Sequence, residues 1–118
     1  MSNSAVIDPT VFSELFTSIG SDQTFLNELI DTFLGDSPRL LAQMRDALAA
    51  NNVDAFRRAA HSLKSNSANL GALNLSALAK ELELMAKAGL LDGAGEKIPP
   101  LEVEYARVKT ALEQKRGK

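Results

Sequence analysis

His61 is the only histidine of the chain and stands in the stretch Ala60-His61-Ser62-Leu63-Lys64-Ser65-Asn66-Ser67-Ala68-Asn69-Leu70-Gly71, inside a helical pattern. A neutral imidazole nitrogen is a competent nucleophile near pH 7. At about 100° per residue around a helix, Phe56, Ala60, Leu63, Ser67 and Leu70 share one arc, with Val53 and Ala59 at its edges. That arc is the expected buried face. His61 points roughly the opposite way, in company with Asp54, Arg57, Arg58, Ser65 and Ala68, and Lys64 follows one turn on beside it. The helix thus sets Arg57, Arg58 and Lys64 against Asp54 alone, whereas residues 1–36 contain Asp8, Glu14, Asp22, Glu28, Asp31 and Asp36 and no Lys or Arg. A positive field around an exposed imidazole suits an anionic group; the plainer reading is a solvated helix face.

Other chemistries are excluded by composition. Without cysteine there is no disulfide framework, thiolate metal site or thiol nucleophile, and a single histidine rules out a multi-histidine metal site within one chain. No glycine-rich phosphate loop, nucleotide-binding motif or pair of carboxylates at metal-binding spacing occurs, so no cofactor of its own is expected. A formal charge of −2 argues against nucleic acid, which calls for a basic footprint. No apolar run approaches the roughly 20 residues that span a bilayer, and the N-terminus lacks a charged region followed by an apolar one. A cytoplasmic domain without membrane contact is the expectation.

The elements that must position His61 are helices. With 118 residues, 45% of them hydrophobic, abundant Ala and Leu, and no alternating β-branched run, the chain reads as a single all-α domain. Met1–Ala5, small and polar, are set aside as a flexible or vector-derived leader. Asp8-Pro9 caps a short helix to about Ile19, ended by Gly20. Asp22 caps a long helix toward Ala50, whose stripe of Leu26, Ile30, Phe33, Leu41, Met44 and Leu48 keeps its phase across Pro38; one kinked helix is expected. Asn51-Asn52 makes a turn into the histidine helix, Val53 to Leu70, which Gly71 closes. The next helix, about Leu73 to Ala88, carries Leu75, Leu78, Leu82 and Met85 and stops at Gly89. Leu90 to Ile98 reads as a loose connection, and Pro99-Pro100 as the start of a last helix with Leu101, Tyr105, Val108 and Leu112. Short turns between amphipathic helices imply antiparallel neighbours. The expected architecture is an antiparallel up-down four-helix bundle with a short extra N-terminal helix, a monomer that buries its own stripes.

The histidine stretch resembles the histidine-containing phosphotransfer (HPt) domain of bacterial multistep phosphorelays. The signature of that family, His-x-x-Lys followed by small residues and a glycine ten positions after the histidine, reads here as His61, Lys64, Ser65, Ala68 and Gly71. Ser65 departs from the pattern, which often has glycine directly after the lysine; serine remains small but adds a hydroxyl. The resemblance implies that a receiver domain carrying a phosphoaspartate and Mg²⁺ docks over the exposed helix face, and that the phosphoryl group passes reversibly between the aspartate and His61. The partners would be response-regulator receiver domains, a hybrid sensor histidine kinase, or both, with Mg²⁺ held by the partner. Lys64, one turn from His61, is the side chain best placed to hold a phosphoryl oxygen.

The docking surface would join Arg57, Arg58, Ser65 and Ala68 to the adjoining side of the long helix, where Leu40 lies level with His61. Leu40, Phe25 and Leu29 fall off the main core stripe; they either pack under the first helix or form an apolar patch. A sensor-kinase phosphoacceptor helix pair fits poorly, because Ser62 follows the histidine where an acid is typical and no proline occurs between it and Pro99. Two alternatives stay open: a histidine domain phosphorylated from ATP by a chemotaxis-type kinase, and a helical adaptor that never carries phosphate.

Overall fold

Three helix starts are set by the side chains that precede them. In the computed structural model, which describes residues 6–117, Asp8 accepts a hydrogen bond from Val11 N–H at 3.0 Å, Asp22 from Phe25 N–H at 3.1 Å and Asn52 from Ala55 N–H at 3.1 Å. Each satisfies an amide donor that a helix start leaves free. The helices α1 (Pro9–Ser18), α2 (Gln23–Ala49) and α3 (Val53–Asn69) follow from these caps. Two more, α4 (Leu73–Lys87) and α5 (Ala94–Lys115), complete a chain with no strand among the described residues. Met1–Ala5 lie outside them.

Pro38 does not divide α2. It sits on the exposed side of the helix, where water can take the place of the hydrogen bond that proline cannot donate. The start of α5 corrects the expected loose connection. Gly93, at φ +85°, turns the chain into a helix that begins at Ala94 and runs through Pro99 and Pro100. Burial explains this: Ala94 and Ile98 are both in the core, while both prolines are exposed. Packing of one apolar face outweighs the local helix-breaking tendency.

Contacts between α2 and α3, α3 and α4, α4 and α5, and α5 and α2 close a ring of four helices around one hydrophobic core. Ion pairs fix α5 antiparallel to α2: Arg45 meets Glu102, and Arg116 reaches back to Asp31 with two nitrogens at 2.7 Å. Phe56, Leu63, Leu75, Leu82 and Leu101 are completely enclosed; burying a side chain of this size stabilises by about 1.5–3 kcal/mol. None of the residues of α1 is fully buried. This helix lies across one end of the ring, with Lys115 Nζ 4.9 Å above the Phe12 ring and the Asp8 N–H donating to the Gly71 carbonyl at 2.8 Å.

Gly71 therefore has two tasks. Its φ of +84° closes α3, and its missing side chain leaves room for the Asp8 carbonyl oxygen, which a Cβ would meet at 3.2 Å. Gly71→Ala is expected to lose about 1–2 kcal/mol from the left-handed backbone alone, read as a lower urea midpoint; an unchanged midpoint would show that the turn relaxes without strain.

Candidate functional site

The inward face of α4 is rotated from the expected stripe of Leu75, Leu78, Leu82 and Met85. Leu75, Ala79, Leu82, Glu83 and Ala86 are buried, and Leu78 and Met85 lie half-buried at the margin. The rotation carries a carboxylate inward. Glu83, only 2% exposed in its side chain, meets three cationic or potentially cationic groups. Lys64 Nζ lies 2.6 Å from Oε1, His61 Nδ1 2.7 Å from Oε2, and Lys87 Nζ 3.7 Å from the same Oε2.

Burial is the largest single influence on the Glu83 carboxyl and by itself raises its pKa. The hydrogen bonds from Lys64 and His61, reinforced by their charges, together outweigh it and bring the carboxyl from an ordinary 4.5 down to about 2. Glu83 is thus an anion at neutral pH, and an anion can only accept hydrogen bonds. The bond to His61 assigns the ring proton to Nδ1. In the neutral ring this leaves the Nε2 lone pair free, with no partner among the described residues, on a side chain that is 55% exposed. A ring held from behind with its other nitrogen open to solvent can act as a nucleophile toward a group delivered from outside.

The remaining candidate residues are placed as follows. Lys64 is 27% exposed and committed to Glu83 Oε1, while its own carbonyl accepts from Ser76 Oγ at 2.9 Å and ties α3 to α4 at this level. Ser65 and Ala68 are half-buried on α3. Arg57 and Arg58 gather on Asp54, at 2.8 and 3.4 Å, so their charge is shared with that carboxylate rather than aimed at the imidazole. The Arg57 hydrogen bond, with the charges of both arginines, holds the Asp54 carboxyl below its usual range.

Leu40 requires a correction. It is 5% exposed and belongs to the core, so it offers no area to a partner. The reason is that α2 packs against two neighbours at once: Leu40 and Ala47 border the groove toward α3, whereas Leu41 lies beside Arg45 and Glu102 toward α5. Leu29 is half-buried opposite Leu15 of α1, and Phe25 remains exposed.

Glu83 and Lys87 were not among the candidates. The available signal was a charged residue on the apolar arc of α4, one residue past Leu82 and four past Ala79. Its partner lies 22 residues away on another helix, beyond the reach of spacing rules. Among the described residues no group of three or more metal-ligating side chains is assembled, and no helix is long and apolar enough to cross a membrane.

Comparison with known proteins bears on this site. The family model of the Hpt domain matches residues 28–117, a span that includes His61, Lys64, Glu83 and Lys87. The crystal structure of histidine-containing phosphotransfer protein B (HptB) from Pseudomonas aeruginosa PAO1 is similar at a TM-score of 0.87 and 34% sequence identity, covering 97% of this chain and 96% of that one. No curated protein matches at a significant level. With a family match over most of its length and a fold shared nearly end to end with a histidine phosphotransfer protein, the chain belongs to the Hpt domain family.

Proposed function

We propose that this domain relays phosphoryl groups on His61 Nε2, accepting them from the phosphoaspartate of one receiver domain and returning them to another. The observation that carries this reading is the exposed imidazole held at Nδ1, 2.7 Å from a buried carboxylate. With the proton on Nδ1, Nε2 needs no base. Its lone pair attacks phosphorus, the N–P bond forms as the acyl P–O bond breaks, and the electron pair leaves on the aspartate carboxylate. The product ring carries a positive charge, which Glu83 offsets from behind. Reversal of the same step passes the group onward.

In this reading Glu83 is a positioning residue and Lys64 has two parts. Its ammonium fixes Glu83 Oε1, and its charge, one turn from His61, favours a nearly dianionic product. The receiver supplies the metal ion and the phosphorylated aspartate, so the domain itself contributes geometry and charge. The half-buried Ser65 and Ala68 leave a low surface beside the ring for the approaching partner. The domain acts as a monomer, since one copy presents the whole site.

The test is transfer itself. Incubated with Mg²⁺ and a receiver domain phosphorylated by a small phosphodonor, the wild-type chain should acquire an acid-labile, base-stable label, and His61→Gln should acquire none. Absence of label with several receivers would favour a helical adaptor, and label only from ATP with a chemotaxis-type kinase would favour a kinase-fed domain. Glu83→Gln keeps the shape but weakens the charge-assisted bond to Nδ1, and is expected to slow transfer about 10- to 100-fold. Stability should show the same carboxylate. Because Glu83 titrates lower in the folded chain than in the unfolded one, its contribution is complete above about 4.5 and is lost as pH falls toward about 2. Urea midpoints measured across that window should fall more steeply for wild type than for Glu83→Gln; parallel slopes would mean that the carboxylate is not held as described.

A further inference from the structure

We propose that Lys87 of α4 is a second phosphoryl-holding cation, which leaves Glu83 for the phosphoryl oxygens when His61 is phosphorylated; the inference rests on His61 being the acceptor. Three groups share the Glu83 carboxylate, and they are not equally bound. Lys64 is fixed at 2.6 Å and mostly covered, and His61 is fixed at 2.7 Å. Lys87 stands 3.7 Å from Oε2, beyond ordinary hydrogen-bond length, and its side chain is 55% exposed. It is the least committed of the three.

Position also favours it. Lys87 and the imidazole address the same carboxylate oxygen, so the ammonium lies within one swing of a lysine side chain from the ring. It comes from α4, whereas Lys64 comes from α3, and an incoming phosphoryl group would meet positive charge from both helices. Before transfer, Oε2 is shared between the imidazole N–H and Lys87. After transfer, the ring becomes cationic and claims Oε2 more strongly, while a nearly dianionic group appears on the other side of the ring. Both changes draw Lys87 the same way.

A lysine in the last turn of a helix also complements the helix dipole, and a Glu–Lys pair four residues apart is a common helix contact. The dipole role affects stability alone, and loss of the Glu83 contact would free Oε2 for the cationic ring and move the ratio toward His61, opposite to the loss of a phosphoryl-holding cation. The experiment therefore measures the equilibrium ratio of phosphohistidine to phosphoreceiver, with the lifetime of the isolated phosphohistidine, for wild type, Lys87→Ala, Lys87→Arg and Lys97→Ala. Lys97 pairs with Glu81 at 3.3 Å, away from the imidazole, and controls for net charge. Lys87→Ala is expected to shift the ratio away from His61 by about 3- to 10-fold, Lys87→Arg to restore most of it, and Lys97→Ala to leave it within twofold. A labelled wild type with an unchanged ratio in folded Lys87→Ala overturns this inference alone, as does an equal shift in Lys97→Ala. A wild type that takes no label overturns the acceptor assignment and this inference with it.

Discussion

A carboxylate enclosed by protein must be compensated, and the compensation of Glu83 organises the site. Removing an anion from water is expensive, and only close cations and hydrogen bonds make it tolerable. Glu83 has Lys64 on one oxygen and the imidazole on the other. The same contacts that make the buried charge acceptable orient the histidine ring, select its tautomer and turn its second nitrogen outward. Site geometry and local stability are thus one interaction seen from two sides.

That interaction depends on how α3 and α4 pack. Leu63, Ala60 and Phe56 on one helix and Leu75, Ala79 and Leu82 on the other are all completely buried. Small residues among them, Ala60 and Ala79, permit a close approach, and the hydrogen bond from Ser76 to the Lys64 carbonyl sets the register. Slip by one residue would carry Glu83 away from the imidazole and leave it uncompensated. The distant parts of the fold serve the same end: α2 and α5 supply the other walls of the core, and α1 lies across its end.

Much of this framework was legible in the sequence, because it rests on local physics. Asp8, Asp22 and Asn52 are recognisable caps, the α3 arc from Phe56 to Leu70 is buried as its periodicity requires, and His61 lies on the opposite face. The readings that failed are those in which tertiary packing overrides local rules. Gly93 and Gly95 make Leu90 to Ile98 resemble a loop and Pro99-Pro100 a helix start, yet burial of Ala94 and Ile98 draws the segment from Ala94 onward into α5. Leu40 was left between packing under α1 and a partner patch because a single stripe was drawn on a helix that packs against two neighbours at once. Glu83 was invisible as a partner because its phase on α4 depends on a rotation of one residue, and its contacts join helices that spacing treats separately.

The distribution of the site over two helices has a consequence for when it exists. A peptide carrying Ala60 to Gly71 would contain every residue of the recognisable motif and still lack the carboxylate that sets the ring. Before α3 and α4 dock, Nδ1 and Nε2 exchange the proton freely and the imidazole is an ordinary solvated one. The proposed competence would therefore arise with the core, as a property of the folded chain rather than of the motif. In the proposed relay, a nascent or locally opened chain would offer an unpositioned ring and accept a phosphoryl group more slowly than the folded one, so that transfer would track folding.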